Sequence, residues 1–441
     1  MSWSFGFRTQ WISAISGLLL AVWALVQMPG FVVAPYQGVR SIDFHSYRLA
    51  ADAWLRGENM YPTLEQTRRY WRAAHQQEVD LLQLTAPEQR QAYLRSQAES
   101  PQKPGPYLYP PTLALLIAQL QVQAPAFAFL GLLSVLAFGW LWLRVSQASA
   151  AWLLLIVFSW DALISAQGAN IEIVLLFLTL LATRLIWRRK PVLAAPLVAG
   201  ILLIKPFYAL LFAAFGALML VAKPTRPSER RALPVVAGLA LGIVALEILR
   251  WDGALRHAAL DYMSHALDYL WLALPPAEQT PFSIWNRNFL QALVNAGLPP
   301  GLAQGIALLL WAGLLAVTLV RARARSLTFP LAWALALVLF YLGRPVGWTT
   351  VYLEIVVSVA LWPWVSVRLK GVILVAAIGL MVSRWAALKL TAEGHTMQFL
   401  TLQSAAFPWE VWIVLPVCWL LLLLALPAAE ESSLVPRAPD S

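Results

Sequence analysis

Ser41-Ile42-Asp43-Phe44-His45 places an aspartate about ten residues beyond Trp11 to Val33, an apolar stretch long enough to cross a bilayer. A carboxylate at a membrane–water boundary can stay ionised and still reach a group attached to lipid. As a general base it would take the proton from an acceptor hydroxyl. Asp is also a common helix cap, and a helix starting near Phe44 leaves that reading open. Two cations raise a matching question. Lys205, in Lys205-Pro206, and Arg344, in Gly343-Arg344-Pro345-Val346-Gly347-Trp348, each end an apolar run. A cation there either snorkels to the surface or meets an anion. A lipid phosphate would suit the pair, because arginine binds it in a bidentate way.

Two polar breaks complete the candidates. Tyr107-Leu108-Tyr109-Pro110-Pro111 opens a helix, since proline's missing donor would be an orphan at the first turn anyway. Its tyrosines either anchor the interface or line a substrate cleft. Gln167-Gly168-Ala169-Asn170 puts two amides between apolar runs. Capping helix ends would satisfy them, and so would a cavity binding sugar hydroxyls. Asp161, Glu172, Glu247 and Glu354 also lie in or beside spans, each near an expected helix end where interfacial water would solvate it.

The elements that must position these residues are membrane helices. The chain has 441 residues, 60% of them hydrophobic, 22 Trp and 12% charged residues. A soluble domain carries roughly twice that charged fraction. Apolar runs of about 20 residues recur, which is the mark of an all-α polytopic membrane protein rather than a β-barrel. The net charge of +10 gathers in short loops, as the positive-inside rule expects, and gives no reason to expect nucleic acid as a partner. The single Cys418 excludes a disulfide and a cysteine-based metal site. No cleavable signal peptide is expected, because the first span is too long for one.

Four basic clusters set the topology: Arg184 with Arg188-Arg189-Lys190, Lys223 with Arg226 and Arg230-Arg231, Arg321-Arg323-Arg325, and Arg368 with Lys370. With all four in the cytoplasm, the spans between them pair as hairpins. Pro191 to Val221 then becomes two short helices broken at Pro206, with Lys205 at the outer tip. Further spans are expected near 152–164, 171–187, 233–249, 301–320, 327–342, 351–364, 372–382 and 409–426. Thr112 to Gln123, about a dozen residues, suits a re-entrant or half-length helix better than a full crossing; the alternative is that it crosses and Pro191 to Val221 is one broken span, which would put the Arg188 cluster outside. The total is about twelve crossings in a single domain over 1–430. Two long segments, 34–109 and 250–288, fall outside the membrane on the extracytoplasmic face, as do all five histidines. Residues 431–441 resemble part of a protease site or a disordered tail and stand apart from the fold.

No Walker loop, GxGxxG, HExxH or DxD is present, so a nucleotide phosphate cradle is missing. The order Asp43, Tyr47, Ala50, Gly57, Tyr61-Pro62, Tyr109-Pro110-Pro111, Gln167-Gly168-x-Asn170, Lys205-Pro206 resembles glycosyltransferase family 87, whose members are integral-membrane enzymes of the GT-C fold class. The match covers roughly the first half of the chain. The best-known members are polyprenyl-phosphate-mannose-dependent α-mannosyltransferases. The resemblance implies a polyprenyl-phosphate sugar donor, a lipid or glycan acceptor, and inverting transfer at the outer face of the plasma (inner) membrane. Asp43 holds the place of the base. His45, Tyr107, Tyr109, Gln167 and Asn170 are expected to bind substrate, with Lys205 and Arg344 at the phosphate. No metal or other cofactor is expected, since a cation at the phosphate can be Lys or Arg. The rival readings are a transporter or flippase of lipid-linked sugars and a membrane glycan polymerase.

Overall fold

The structure, a computed structural model, describes residues 42–61, 107–148, 152–157, 170–221, 228–264, 297–344, 353–364 and 414–426 apart from 108 and 326, together with a few isolated positions. The expected first span (Trp11 to Val33), Gln167, the latter part of the second outer segment, most of the span near 372–382 and the tail lie outside the described residues, as do His75, His265 and His395.

Among the described residues every element is helical. In chain order they are α1 (Ile42–Leu55), α2 (Pro111–Leu120), α3 (Ala124–Ser146), α4 (Trp152–Val157), α5 (Glu172–Trp187), α6 (Pro191–Ile204), α7 (Ala209–Val221), α8 (Ser228–Arg250), α9 (Gly253–Ser264), α10 (Pro300–Arg323), α11 (Phe329–Gly343), α12 (Leu353–Leu361) and α13 (Leu415–Leu424). A 3-10 turn, Pro206–Tyr208, joins α6 to α7.

The local signals explain the breaks. Pro111 is the first residue of α2, where its missing N–H costs nothing. Lys205 leaves the helical region with φ −138°, and Pro206 then starts the 3-10 turn, as expected from its lack of a donor. α5 ends in a Schellman motif. The Lys190 N–H donates to the Leu185 carbonyl and the Arg189 N–H to that of Ile186. Arg189 takes the left-handed conformation (φ 59°) usually given to glycine there. Gly57 serves that role after α1, with φ 72°.

α11 is the axis of the bundle. From Leu331 to Phe340 no side chain has measurable exposure. It packs against α3, α5, α7, α10, α12 and α13. A helix apolar on every side requires such surroundings. α6 lies between α5 and α8, and α1 lies on α2. Trp311 of α10 donates its indole N–H to the Leu339 carbonyl at 2.9 Å. Gly343 makes room for that ring, since a Cβ there would stand 2.5 Å from Trp311 Cδ1.

Among the described residues three helices are long and apolar enough to cross a membrane: Ala124–Ser146, Ala232–Arg250 and Gly301–Arg323. The last two are mostly uncovered, with Leu246, Leu249, Leu309 and Val320 all largely exposed. Apolar surface of that extent is unfavourable in water and suits acyl chains. Ala124–Ser146 was not among the spans expected from sequence. The short segment expected at Thr112 to Gln123 is α2, ten residues long.

The helix directions sort the polar residues to two ends. Trp187 of α5 stacks edge-on against Phe329, the first residue of α11, and Arg184 lies 5.2 Å from that ring. Trp142 of α3 packs on Trp333 of α11. Arg144, Arg184, Arg188–Lys190 and the α10–α11 connection with Arg321 and Arg323 therefore share one end. The opposite end carries the N-terminus of α5, the α6–α7 break and the C-terminus of α11. A helix of 16 residues separates the two ends by about 24 Å. That arrangement agrees with the hairpin pairing expected from the Arg184 and Arg321 clusters, while Lys223, Arg226 and Arg368 lie outside the described residues.

Candidate functional site

Three helix termini meet at the end away from the arginines. Glu172 is the first residue of α5, Lys205 follows α6 and Arg344 follows α11. All three are buried, at 8%, 9% and 4% exposure. The Lys205 ammonium donates to Glu172 Oε2 in a close ion pair. The Tyr208 hydroxyl donates to Glu172 Oε1 at 2.8 Å, and Arg344 Nη1 lies 3.6 Å from the same oxygen. The backbone sets this up. The Asn170 side-chain oxygen accepts the Glu172 N–H at 2.7 Å, which fixes the first turn of α5. The extended Lys205 and the turn after it bring the ammonium and the Tyr208 hydroxyl onto one carboxylate.

Two sequence expectations change here. Glu172 was expected to be solvated at the interface, and snorkelling was one account of Lys205. Instead each desolvates the other. A charge in an apolar region that cannot reach water needs a partner, and these two find one another. The signal was present in the sequence: an acid and a base, each the only charge at its end of an apolar helix.

Aromatic rings surround the pair. Lys205 Nζ lies 5.1 Å from the ring centroid of Tyr109 and 5.5 Å from that of Phe207. The Arg344 guanidinium lies 4.3 Å from the Tyr341 ring. These are cation–π distances, and they strengthen as water is removed.

Tyr109 leads outward to α1. The Tyr47 hydroxyl donates to that of Tyr109 at 3.3 Å, with the rings edge-on at 5.1 Å. Asp43 occupies the first turn of α1, one helical turn before Tyr47, so it lies within the helix rather than capping it from outside. The Asp43 side chain is outside the described residues. His45 is exposed and stands two residues from Tyr47, on the other side of α1. The structure does not bring it to the cluster.

Tyr107 has a structural task. Its hydroxyl donates to the Pro110 carbonyl and accepts the Ala114 N–H at 3.2 Å, which holds the start of α2. Burial raises its pKa well above that of an ordinary tyrosine, so it stays neutral. Asn170 likewise serves as a cap. Among the described residues no group of His, Cys, Asp and Glu gathers as a metal-ligand set.

Beyond the expected residues, the structure adds Tyr208 to the ion cluster. It also adds a stacked pair, Tyr61 and Tyr262, with centroids 4.7 Å apart and planes at 13°. That stack joins the first outer segment to α9. Neither could be found from pattern alone, since both depend on segments far apart in the chain.

Comparison with protein-family models, with curated proteins and with solved structures returns no match.

Proposed function

We propose that this chain is a membrane glycosyltransferase of the GT-C class, with about twelve crossings, as its sequence resemblance to glycosyltransferase family 87 implies. It moves a hexose or pentose, mannose foremost, from a polyprenyl-phosphate donor to a lipid or glycan acceptor at the extracytoplasmic face of the plasma membrane. The observation that carries this reading is one connected path. Asp43 stands one turn before Tyr47, Tyr47 bonds to Tyr109, and the Tyr109 ring lies against Lys205.

In this reading Asp43 takes the proton of the acceptor hydroxyl. The acceptor oxygen attacks C1 of the sugar from the face opposite the phosphate, the C1–O(phosphate) bond breaks, and the configuration inverts. The polyprenyl phosphate leaves with the bonding electron pair. Lys205 and Arg344 face that phosphate as its charge grows, an effect that is often the largest single contribution to catalysis. Glu172 and Tyr208 hold Lys205 in place, so no reorganisation is needed as the reaction proceeds.

The location of the charges favours an enzyme over a transporter. A transporter of lipid-linked sugars needs polar groups near the middle of its spans. Here Glu172, Lys205 and Arg344 all sit at helix termini, at the end opposite Arg184 and Arg321.

The test is transfer by purified protein in nanodiscs, using a panel of radiolabelled polyprenyl-phosphate sugars and host lipids. The reading expects one donor to be consumed with inversion, and Asp43→Asn to abolish that turnover. No transfer with any donor, together with donor flipping in liposomes, would replace it with the transporter reading.

A further inference from the structure

Among the described residues buried hydroxyls almost always have partners. Thr179, Thr183 and Thr318 each donate to a carbonyl one turn back, as do Ser134 and Ser146. Two depart from this among the described residues. The Tyr61 hydroxyl and the Thr112 hydroxyl are buried and have no hydrogen-bond partner. Tyr61 as a whole is 7% exposed and Thr112 is 9% exposed. A buried hydroxyl without a partner lowers stability, so such groups are rare in folded proteins.

The two orphans flank one residue. The Tyr61 ring lies 5.9 Å from the Tyr107 ring. Thr112 sits between Pro110 and Ala114, the two residues whose backbone groups hold the Tyr107 hydroxyl. The Tyr107 proton is committed to the Pro110 carbonyl, and neither neighbour's hydroxyl bonds to Tyr107. Tyr262 stacks on Tyr61 and fixes its ring from the side of α9.

We infer that Tyr61 and Thr112 form a subsite for a neutral, hydroxyl-rich ring: the sugar of donor or acceptor. The naming of a sugar rests on the glycosyltransferase reading above. Each free hydroxyl offers a donor and an acceptor, which matches the hydroxyls of a pyranose. Burial pushes the Tyr61 pKa upward, so the group meets its ligand uncharged. The cations Lys205 and Arg344 lie beyond Tyr109. Neutral sugar and charged phosphate therefore have separate places along one line of tyrosines.

Tyr61→Phe and Thr112→Val each remove a hydroxyl and keep the shape. Parent and variants in nanodiscs are heated with rising concentrations of short-chain alkyl mannoside and alkyl glucoside, and separately with inorganic phosphate. The midpoint of unfolding rises with ligand that binds the folded state. Without glycoside, both variants should unfold at the parent's temperature or above it, because an orphan has been removed. With glycoside, they should need about tenfold more of it for the same rise, about 1.4 kcal/mol. The response to phosphate should be unchanged. An equal glycoside response in parent and variants, or none in the parent, overturns the subsite. The readout needs no transfer. A failure of the catalytic reading shows up separately, as a parent that binds glycoside but transfers nothing.

Discussion

Glu172 and Lys205 stand 33 positions apart in the chain and meet as a buried ion pair at the junction of α5, α6 and the turn that follows. Tyr208 and Arg344 complete the cluster from α7's side and from the end of α11. Each charge is where it is because the other removes the cost of its desolvation.

That pairing gives the first prediction. Lys205→Met leaves Glu172 buried with Tyr208 and the more distant Arg344. Removing one partner of such a pair costs about 3–5 kcal/mol. The variant should unfold at a clearly lower temperature than the parent. Glu172→Gln should do the same, and the double variant should lose less than the sum of the two. Additive losses in thermal unfolding in nanodiscs would show that the two residues do not support one another.

Asp43→Asn tests the base. It keeps the size of the side chain and the helix position. Transfer should fall by at least about 10²-fold, with the unfolding temperature unchanged. Near-normal turnover in a well-folded Asp43→Asn protein would remove the general-base role.

Glu58 and Lys190 lie at opposite ends of the bundle, and both are exposed. Single cysteines are placed at these positions in a Cys418→Ala background. In intact cells an impermeant thiol reagent should label Glu58→Cys and spare Lys190→Cys. The reverse pattern would turn the protein over in the membrane and put the tyrosine end in the cytoplasm.

Gly343→Ala probes the packing beneath Arg344. Its methyl would press on the Trp311 ring at 2.5 Å, and Trp311 is held by its bond to the Leu339 carbonyl. Overpacking of this kind costs about 1–3 kcal/mol. Gly305→Ala, whose Cβ meets nothing within 4 Å, is the control and should be close to neutral. Equal unfolding temperatures for the two variants would mean that the α10–α11 contact is looser than described.

Prolines, basic clusters and most apolar runs act through local physics and could be read from the chain, although the span Ala124–Ser146 was missed. A run of apolar residues forms a membrane helix whatever surrounds it, because backbone groups in lipid must bond within the segment. Pro111 starts α2 and Pro206 breaks the hairpin for reasons confined to a few residues. The grouping of arginines at one end follows from counting spans between them. Tertiary structure decided the rest. The sequence shows that a charge at Lys205 must be compensated, but the candidates included a lipid phosphate, the surface and several acids. Only the packing of α5 beside α6 selects Glu172. Likewise Tyr47 meets Tyr109 and Tyr61 meets Tyr262 because α1, α2 and α9 converge. Such contacts join segments tens to hundreds of residues apart, and no local pattern encodes them. The orphan hydroxyls of Tyr61 and Thr112 are visible only once every other partner has its place.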